Sequence, residues 1–280
     1  MRTIDVSMIR ESIKHMCIDA NYNIGMDIKA AFEKGLEVET SPIGKSILVD
    51  LLENARIAGE KQVPICQDTG MVVVFAEIGQ DVHLVGGDIK TAIDQGIRDG
   101  YGEGYLRKSV VADPLNRVNT NDNTPGIVYF DIVPGDQVKL KVALKGFGSE
   151  NMSRTKMLKP SDGIKGVEAF VIETVSLAGP NPCPPIVVGV GIGGTIEKAA
   201  MLAKQALLRN VDDESSLPHI KALETTLLEK INQLGIGPQG LGGNTTALGV
   251  NVEVFPTHIA GLPVAVNINC HASRHMEIVL

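Results

Sequence analysis

The stretch PNPCPPIVVGVGIGGTIEKAAMLAKQALLR, residues 180–209, constrains the fold more than any other. Its centre, IVVGV, is apolar apart from one glycine, as in a buried strand. Glycines follow, and apolar residues then return at helical spacing in TIEKAAMLAKQALLR. A strand that passes directly into a helix is a building unit of α/β folds. The same stretch sets Cys183 among four prolines. Whether the glycines or the cysteine carry chemistry depends on the rest of the chain.

Residues 7–21 place Ile9, Ile13, Met16, Cys17 and Ala20 on one face of a predicted helix, so Cys17 is expected in the core. Ser41 and Pro42 form an N-cap and first-turn pair that opens a helix running to about Gly59. MVVVFAEIG reads as a buried strand, and DIKTAIDQGIRDGYGEGYL as a helix that loosens into glycines. GIVYFDIV and QVKLKVALKG alternate as strands, and the PGD between them predicts a hairpin. Further helices are expected from about Asp162 to Leu177 and in SLPHIKALETTLLEKINQLG. The expected fold is α/β, a mixed sheet with flanking helices and room for two subdomains.

With 280 residues a sizeable core is affordable, but there is no Trp and only 4% aromatic residues. Val, Ile, Leu, Ala and Met must therefore fill it. A formal charge of -7 argues against a nucleic-acid partner. No run of eighteen apolar residues predicts a membrane span, and the amphipathic start MRTIDVSMIRESIKHM lacks the apolar segment of a signal peptide. The expected location is cytoplasmic, where a disulfide framework is not expected.

Gly189, Gly191 and Gly194 satisfy the G-x-G-x-x-G spacing of a dinucleotide loop, with Asp212 and Asp213 at about the distance of a ribose-binding acid. Such an acid, however, ends a second parallel strand. Here NVDDESS leads straight into another helix and leaves no room for one. The alternative is that the glycines permit close approach of a helix N-terminus to a ligand, without a nucleotide.

Cys66, Cys183 and Cys270 share a setting that Cys17 lacks: ICQDTG, PNPCPP and NINCHASRH are loops at strand boundaries. No C-x-x-C pair occurs, so a common metal would require the fold to gather three distant thiols. Three thiolates on a [4Fe–4S] cluster leave one iron with an open position that can act as a Lewis acid. Three unrelated buried cysteines, or a zinc Cys3His site using His258 or His271, are the alternatives that spacing leaves open.

Taken in order, ICQDTG, LRKSVVADP, KGFGSENMS, GPNPCPPIVVGVGIGGT, GIGPQGLGG and NINCHASRH resemble the α subunit of the iron–sulfur (class I) fumarate hydratases, an architecture shared by L-tartrate dehydratases. The resemblance covers nearly the whole chain. It implies one hydro-lyase α-subunit domain over residues 1–280, with no second substrate domain. Cys66, Cys183 and Cys270 are then the ligands of a [4Fe–4S] cluster with one iron not held by protein. Gln67 contacts substrate, Asp68 is the acid/base residue, and Arg107 binds a substrate carboxylate through its guanidinium fork. Gly146 and Gly148 match a glycine-rich loop facing the substrate, although Phe147 stands where many relatives have glycine. His258, twelve residues before Cys270, matches a histidine near the active site.

The reaction implied is reversible addition of water to fumarate, giving (S)-malate, as in the tricarboxylic acid cycle; dehydration of L-tartrate to oxaloacetate is the alternative. One matched arginine faces two substrate carboxylates. In the family, the other arginines, a lysine and a threonine base come from a second domain or a β subunit. A β-subunit partner is therefore expected, in an α2β2 heteromer. An NAD-binding oxidoreductase and a non-catalytic iron–sulfur protein are the competing readings; the first should survive loss of the three loop cysteines, and the second should show no lyase activity with any β subunit.

Overall fold

A computed structural model describes residues 2–280. In chain order, the first elements are β1 (Arg2–Asp5), α1 (Val6–Tyr22), α2 (Met26–Val38), α3 (Pro42–Lys61), β2 (Met71–Gly79), β3 (Val82–Val85), α4 (Ile89–Glu103), β4 (Ile127–Val133) and β5 (Val138–Lys145). The helical turn α5 (Phe147–Glu150), β6 (Arg154–Leu158), α6 (Gly163–Ala178), β7 (Ile186–Gly193), α7 (Ile196–Ala206), α8 (Pro218–Asn232), β8 (Ala247–Phe255), β9 (Leu262–Asn269) and β10 (His275–Val279) complete it. The chain forms two compact units that interleave along the sequence. The first comprises Met1–Gly25, Asn54–Phe147 and Arg274–Leu280, and the second Met26–Glu53 and Gly148–Ser273. The class is α/β with mixed sheets, as expected.

In the first unit, β1 and β3 pair in parallel, and a four-stranded sheet runs β10-β5-β2-β4. Helices α1 and α4 pack together over a core that includes Val72, Val74, Leu140 and Val142. Each is started by an aspartate: Asp5 accepts from Ser7 N at 2.8 Å and Asp88 from Thr91 N at 2.7 Å. Ile9, Ile13, Met16, Cys17 and Ala20 are all buried, as the helical spacing predicts. Burial pushes the Cys17 thiol up to about 12.

The predicted hairpin is not there. β4 and β5 do not pair with each other; β2 lies between them, parallel to β4 and antiparallel to β5. The PGD turn instead crosses the end of β2. Asp81 N donates to Gly135 O at 2.9 Å, and Gly79 N to Gln137 O at 2.8 Å. A Cβ on Gly79 would stand 2.5 Å from Gly135 O, so the crossing needs glycine there. A turn signal reports the direction change, not which strand fills the space.

In the second unit the sheet order is β6-β9-β7-β8, with β7 parallel to β8 and antiparallel to β9. Helices α6 and α8 contribute Val171, Val175, Leu227 and Ile231 to one core layer, while α7 lays Ala199 and Ala203 against Ala265. Gly189 and Gly191 explain this fit. A Cβ on Gly189 would meet Ala203 O at 2.1 Å, and one on Gly191 would meet Ala199 O at 2.0 Å. The glycines let the α7 backbone rest directly on β7. Asp212 and Asp213 lie in a turn before α8, where no strand occurs, as the sequence requires.

Glu39, 1% exposed, joins the α2–α3 connection to residues 243–245. Its carboxylate accepts from Thr40 N, Ser41 N, Asn244 N and Thr245 N at 2.9–3.0 Å. Burial pushes this carboxyl up, but the N–H groups of Asn244, Ser41 and Thr245 outweigh it and hold the group below its ordinary range.

Candidate active site

The loop between α3 and β2 carries Cys66, Gln67 and Asp68 in succession. Its flanks are pinned from inside the first unit. Ile65 N donates to Asn21 O at 2.9 Å, and Asn54 Nδ2 donates to Ile65 O at 3.0 Å. Beyond the cysteine, the buried Tyr101 hydroxyl lies 2.7 Å from Thr69 O and 2.8 Å from Gly70 O. Asn123 Nδ2 donates to Gly70 O at 3.2 Å, and Thr69 Oγ1 donates to Arg107 O at 3.0 Å. The loop is thus fixed at both ends while Cys66 and Asp68 remain half-buried and Gln67 exposed.

Four of the residues singled out from sequence, Gln67, Asp68, Arg107 and Gly146, meet here with Cys66. Arg107 Nη1 donates to Gln67 Oε1 at 2.7 Å, which steadies an otherwise exposed guanidinium. Asp68 Oδ1 accepts from Gly70 N at 3.0 Å and Oδ2 from Phe147 N at 2.9 Å. The Phe147 backbone therefore serves Asp68 whatever its side chain does. A Cβ on Gly146 would fall 3.3 Å from Asp68 Oδ2 and 3.4 Å from Arg274 Nη2, close enough that the carboxylate would have to shift by a few tenths of an ångström. Gly148 shows no such constraint; its closest neighbour would be Asn181 O at 3.9 Å.

The other two loop cysteines belong to the second unit. Cys183 N donates to Pro180 O at 3.0 Å, closing a tight turn, and Cys183 adopts φ +53°, a region that costs a non-glycine residue about 1–2 kcal/mol. The turn is held by its neighbours. His271 Nδ1 lies 3.0 Å from Cys183 O and 3.3 Å from Gln239 Nε2. Gln239 Nε2 donates to Pro184 O at 2.8 Å. The Cys183 turn and the residue after Cys270 are therefore tied together. Cys270 Sγ points its weak donor at Ala272 O, 3.8 Å away.

His258 lies elsewhere. It precedes β9 whereas Cys270 follows it, and the antiparallel register puts Cys183 at the Cys270 end. An eight-residue strand spans roughly 26 Å at ~3.3 Å per residue. His258 instead borders a cleft of about 480 Å³ with Thr195, Glu197 and Met157. The structure does not bring it together with Cys183 and Cys270.

None of the four cysteines forms a disulfide. Cys66 and Cys270 are half-buried and Cys183 is exposed, whereas Cys17 is sealed in the core. A ligand must be a thiolate, which burial disfavours at Cys17. Among the described residues no three His, Cys, Asp or Glu side chains are grouped closely enough to hold a metal ion. Three accessible thiols without a disulfide fit the soft donor set of an iron–sulfur cluster.

Sequence reasoning missed the supports. Asn21, Tyr101, Asn123 and Arg274 are buried residues that hold the Cys66 loop, and nothing in their local sequence signals it. Glu150 was within reach, because it lies in the GFGSEN stretch. Its carboxylate accepts from Lys204 Nζ and from Asn267 Nδ2, both at 2.7 Å, tying that stretch to the strand leading to Cys270.

A family model described as Fumarate hydratase (Fumerase) matches residues 10–279. A putative L(+)-tartrate dehydratase subunit alpha of Methanocaldococcus jannaschii is 46% identical over 256 residues, 89% of this chain and 89% of that protein. L(+)-tartrate dehydratase subunit alpha proteins of Escherichia coli strains UTI89 and K12 are 38% and 37% identical over 242 residues, 85% of this chain and 79% of theirs. Because the match runs through all three cysteine loops and the elements that hold them, this chain belongs to the fumarate hydratase (Fumerase) family.

Proposed function

We propose that this chain is the α subunit of an iron–sulfur hydro-lyase that, with a β subunit, interconverts fumarate and (S)-malate. The observation that carries the reading is the loop where an accessible thiol, the Gln67–Arg107 pair and the backbone-held Asp68 carboxylate follow one another. Cys66, Cys183 and Cys270 would hold a [4Fe–4S] cluster with one iron free of protein ligands, which when bound supplies a Lewis acid for the hydroxyl group.

The chain's own residues account for the remaining demands. Arg107 commits one N–H to Gln67 and offers the rest of its fork to a substrate carboxylate. Removing a proton from the carbon beside that carboxylate spreads negative charge onto it, and a cation already in place lowers the cost. Asp68 is held through one hydrogen bond to each oxygen, which leaves each a lone pair to take up or return a proton. Gly146 keeps the facing backbone clear of that carboxylate, and Gly148 extends the same loop toward substrate. His258, a strand length from Cys183 and Cys270, is left outside this set.

One arginine does not satisfy two carboxylates. The second cation and the complementary proton-transfer group are assigned to the β subunit, in line with the relatives' designation as alpha subunits, and by family analogy to an α2β2 assembly. L-tartrate dehydration is the second reading, favoured by the names of those same relatives. Co-purification with the β subunit, anaerobic cluster loading and steady-state assays on fumarate, (S)-malate and L-tartrate decide between them. Turnover of neither substrate class would refute the hydro-lyase reading.

A further inference from the structure

We infer that Arg274 and Asn21 form a buried clamp that positions Cys66 and Asp68, and that Arg274 is a positioning residue for the reaction proposed above, on which this inference rests. Arg274 is 2% exposed and Asn21 fully buried. Arg274 Nη1 donates to the main-chain oxygen of Asp68 at 2.6 Å and to Asn21 Oδ1 at 3.0 Å. Asn21 O accepts from Ile65 N at 2.9 Å, and Asn21 Nδ2 donates to Cys17 O at 3.0 Å on α1. One side of the clamp therefore grips the residue before Cys66, and the other grips the residue two beyond it.

The clamp is itself anchored. Leu144 N donates to Arg274 O at 3.0 Å, locking the arginine's backbone to β5. Arg274 Nη2 faces the space that a side chain on Gly146 would fill, across which lies Asp68 Oδ2. A guanidinium is ionised at any working pH, and burying one is costly unless its hydrogen bonds are strong. Arg274 Nε is buried without a partner, so the fold accepts a penalty to keep this cation here. A purely structural filler would not require it. A main-chain oxygen of the acid/base residue, held by a fixed charged donor, sets where the Asp68 carboxylate points and limits the loop's freedom around Cys66.

A misplacement of about 1 Å at a reacting group costs on the order of 10²-fold in rate. Arg274→Lys keeps the charge, but a single amine on a different stem cannot hold Asp68 O and Asn21 Oδ1 as Nη1 does while a second nitrogen faces Gly146 and the Asp68 carboxylate as Nη2 does. With the β subunit and matched cluster content, kcat should fall roughly 30-fold or more while KM stays within about threefold. In the α chain alone, amide exchange at residues 65–70 should accelerate about tenfold or more, with the rest of the first unit unchanged. Guanidinium ion at concentrations below those that unfold the chain should restore part of the activity of Arg274→Ala; should that variant fail to fold, the lysine variant decides.

A normal kcat in Arg274→Lys overturns the inference. So does faster exchange spread over the whole first unit, which marks a stability role, and so does a slowed kcat without a local exchange change. If the wild-type pair turns over neither fumarate nor L-tartrate, the functional reading fails, and the exchange measurement alone judges the clamp.

Discussion

Replacing Gly191 by alanine tests why the glycines stand between β7 and α7. The new Cβ would lie 2.0 Å from Ala199 O and 2.5 Å from Ala203 N, whereas ordinary contact begins near 3.4 Å. Both atoms are helix backbone and cannot rotate away, so α7 must retreat by about 1.4 Å along that line. That lifts Ala199 and Ala203 off the sheet, where each is 1% exposed. Overpacking of this kind costs about 1–3 kcal/mol, and a clash with backbone belongs at the upper end. For a unit of this size roughly 3 kcal/mol lowers Tm by about 6–12 °C. Gly189→Ala should act similarly through Ala203 O at 2.1 Å. Because one retreat of α7 relieves both clashes, the double variant should lose less than the two single losses added together. Gly102→Ala, which meets nothing within 4 Å in α4, serves as the control and should be neutral or slightly stabilising. Equilibrium denaturation of the α chain with a probe in the second unit provides the measurement. A Gly191→Ala variant as stable as the control, or strictly additive losses at Gly189 and Gly191, would refute the packing explanation.

Four other outcomes are expected. Glu39→Gln, which turns donors toward the N–H groups of Asn244 and Thr245, should cost about 2 kcal/mol at neutral pH; since the folded carboxyl lies below its unfolded value of 4.5, the wild-type advantage is present above pH 4.5 and shrinks as pH falls through the folded value, as denaturation against pH would record. Cys66→Ser, Cys183→Ser and Cys270→Ser should each lose the visible iron–sulfur absorption after anaerobic reconstitution while Cys17→Ser keeps it, and a stable cluster in all four variants contradicts the ligand assignment. With the β subunit, Arg107→Ala should raise KM and lower kcat, whereas Asp68→Asn should lower mainly kcat, by roughly 10²–10⁴-fold; a normal kcat in the latter makes Asp68 structural. In the metal-free folded chain a thiol reagent at mildly alkaline pH should modify Cys66, Cys183 and Cys270 readily and Cys17 only on unfolding, read by mass spectrometry, since Cys17 alone is sealed in the core and its thiol is pushed up to about 12.

Where the relevant interaction is local, the sequence was readable. The face of α1 that buries Cys17 follows from spacing alone, as does the passage from β7 to α7, and the absence of a strand before Asp212 correctly argued against a dinucleotide fold. The β4–β5 pairing failed because a hairpin signal lies in four residues while the intervening strand, β2, comes from more than forty residues earlier. The Cys66 loop was legible as a motif, but its supports were not. Arg274 reads as an ordinary basic residue in SRH, and only the fold brings it to a carbonyl 206 residues away. His258 shows the converse, since its twelve-residue spacing to Cys270 is spent largely on the length of β9.

The interleaving of the two units has a consequence for how the molecule is made. Asp68 is synthesised 206 residues before Arg274, and Glu39 comes 205 residues before the Asn244 backbone that it receives. At translation rates of ~5–20 residues per second, each of these pairs waits roughly 10–40 s for its second member. Neither unit is a continuous stretch, and the first cannot finish folding until all of the second has been made. β10, which completes the first sheet, emerges after the whole of the second unit. During that interval the Cys66 loop exists without its arginine, and its thiol is open to oxidants and stray metal ions. Long-range closures of this kind are also the slow ones in folding. The emergence of Arg274 and β10 therefore sets the earliest moment at which the Cys66 loop takes its final form.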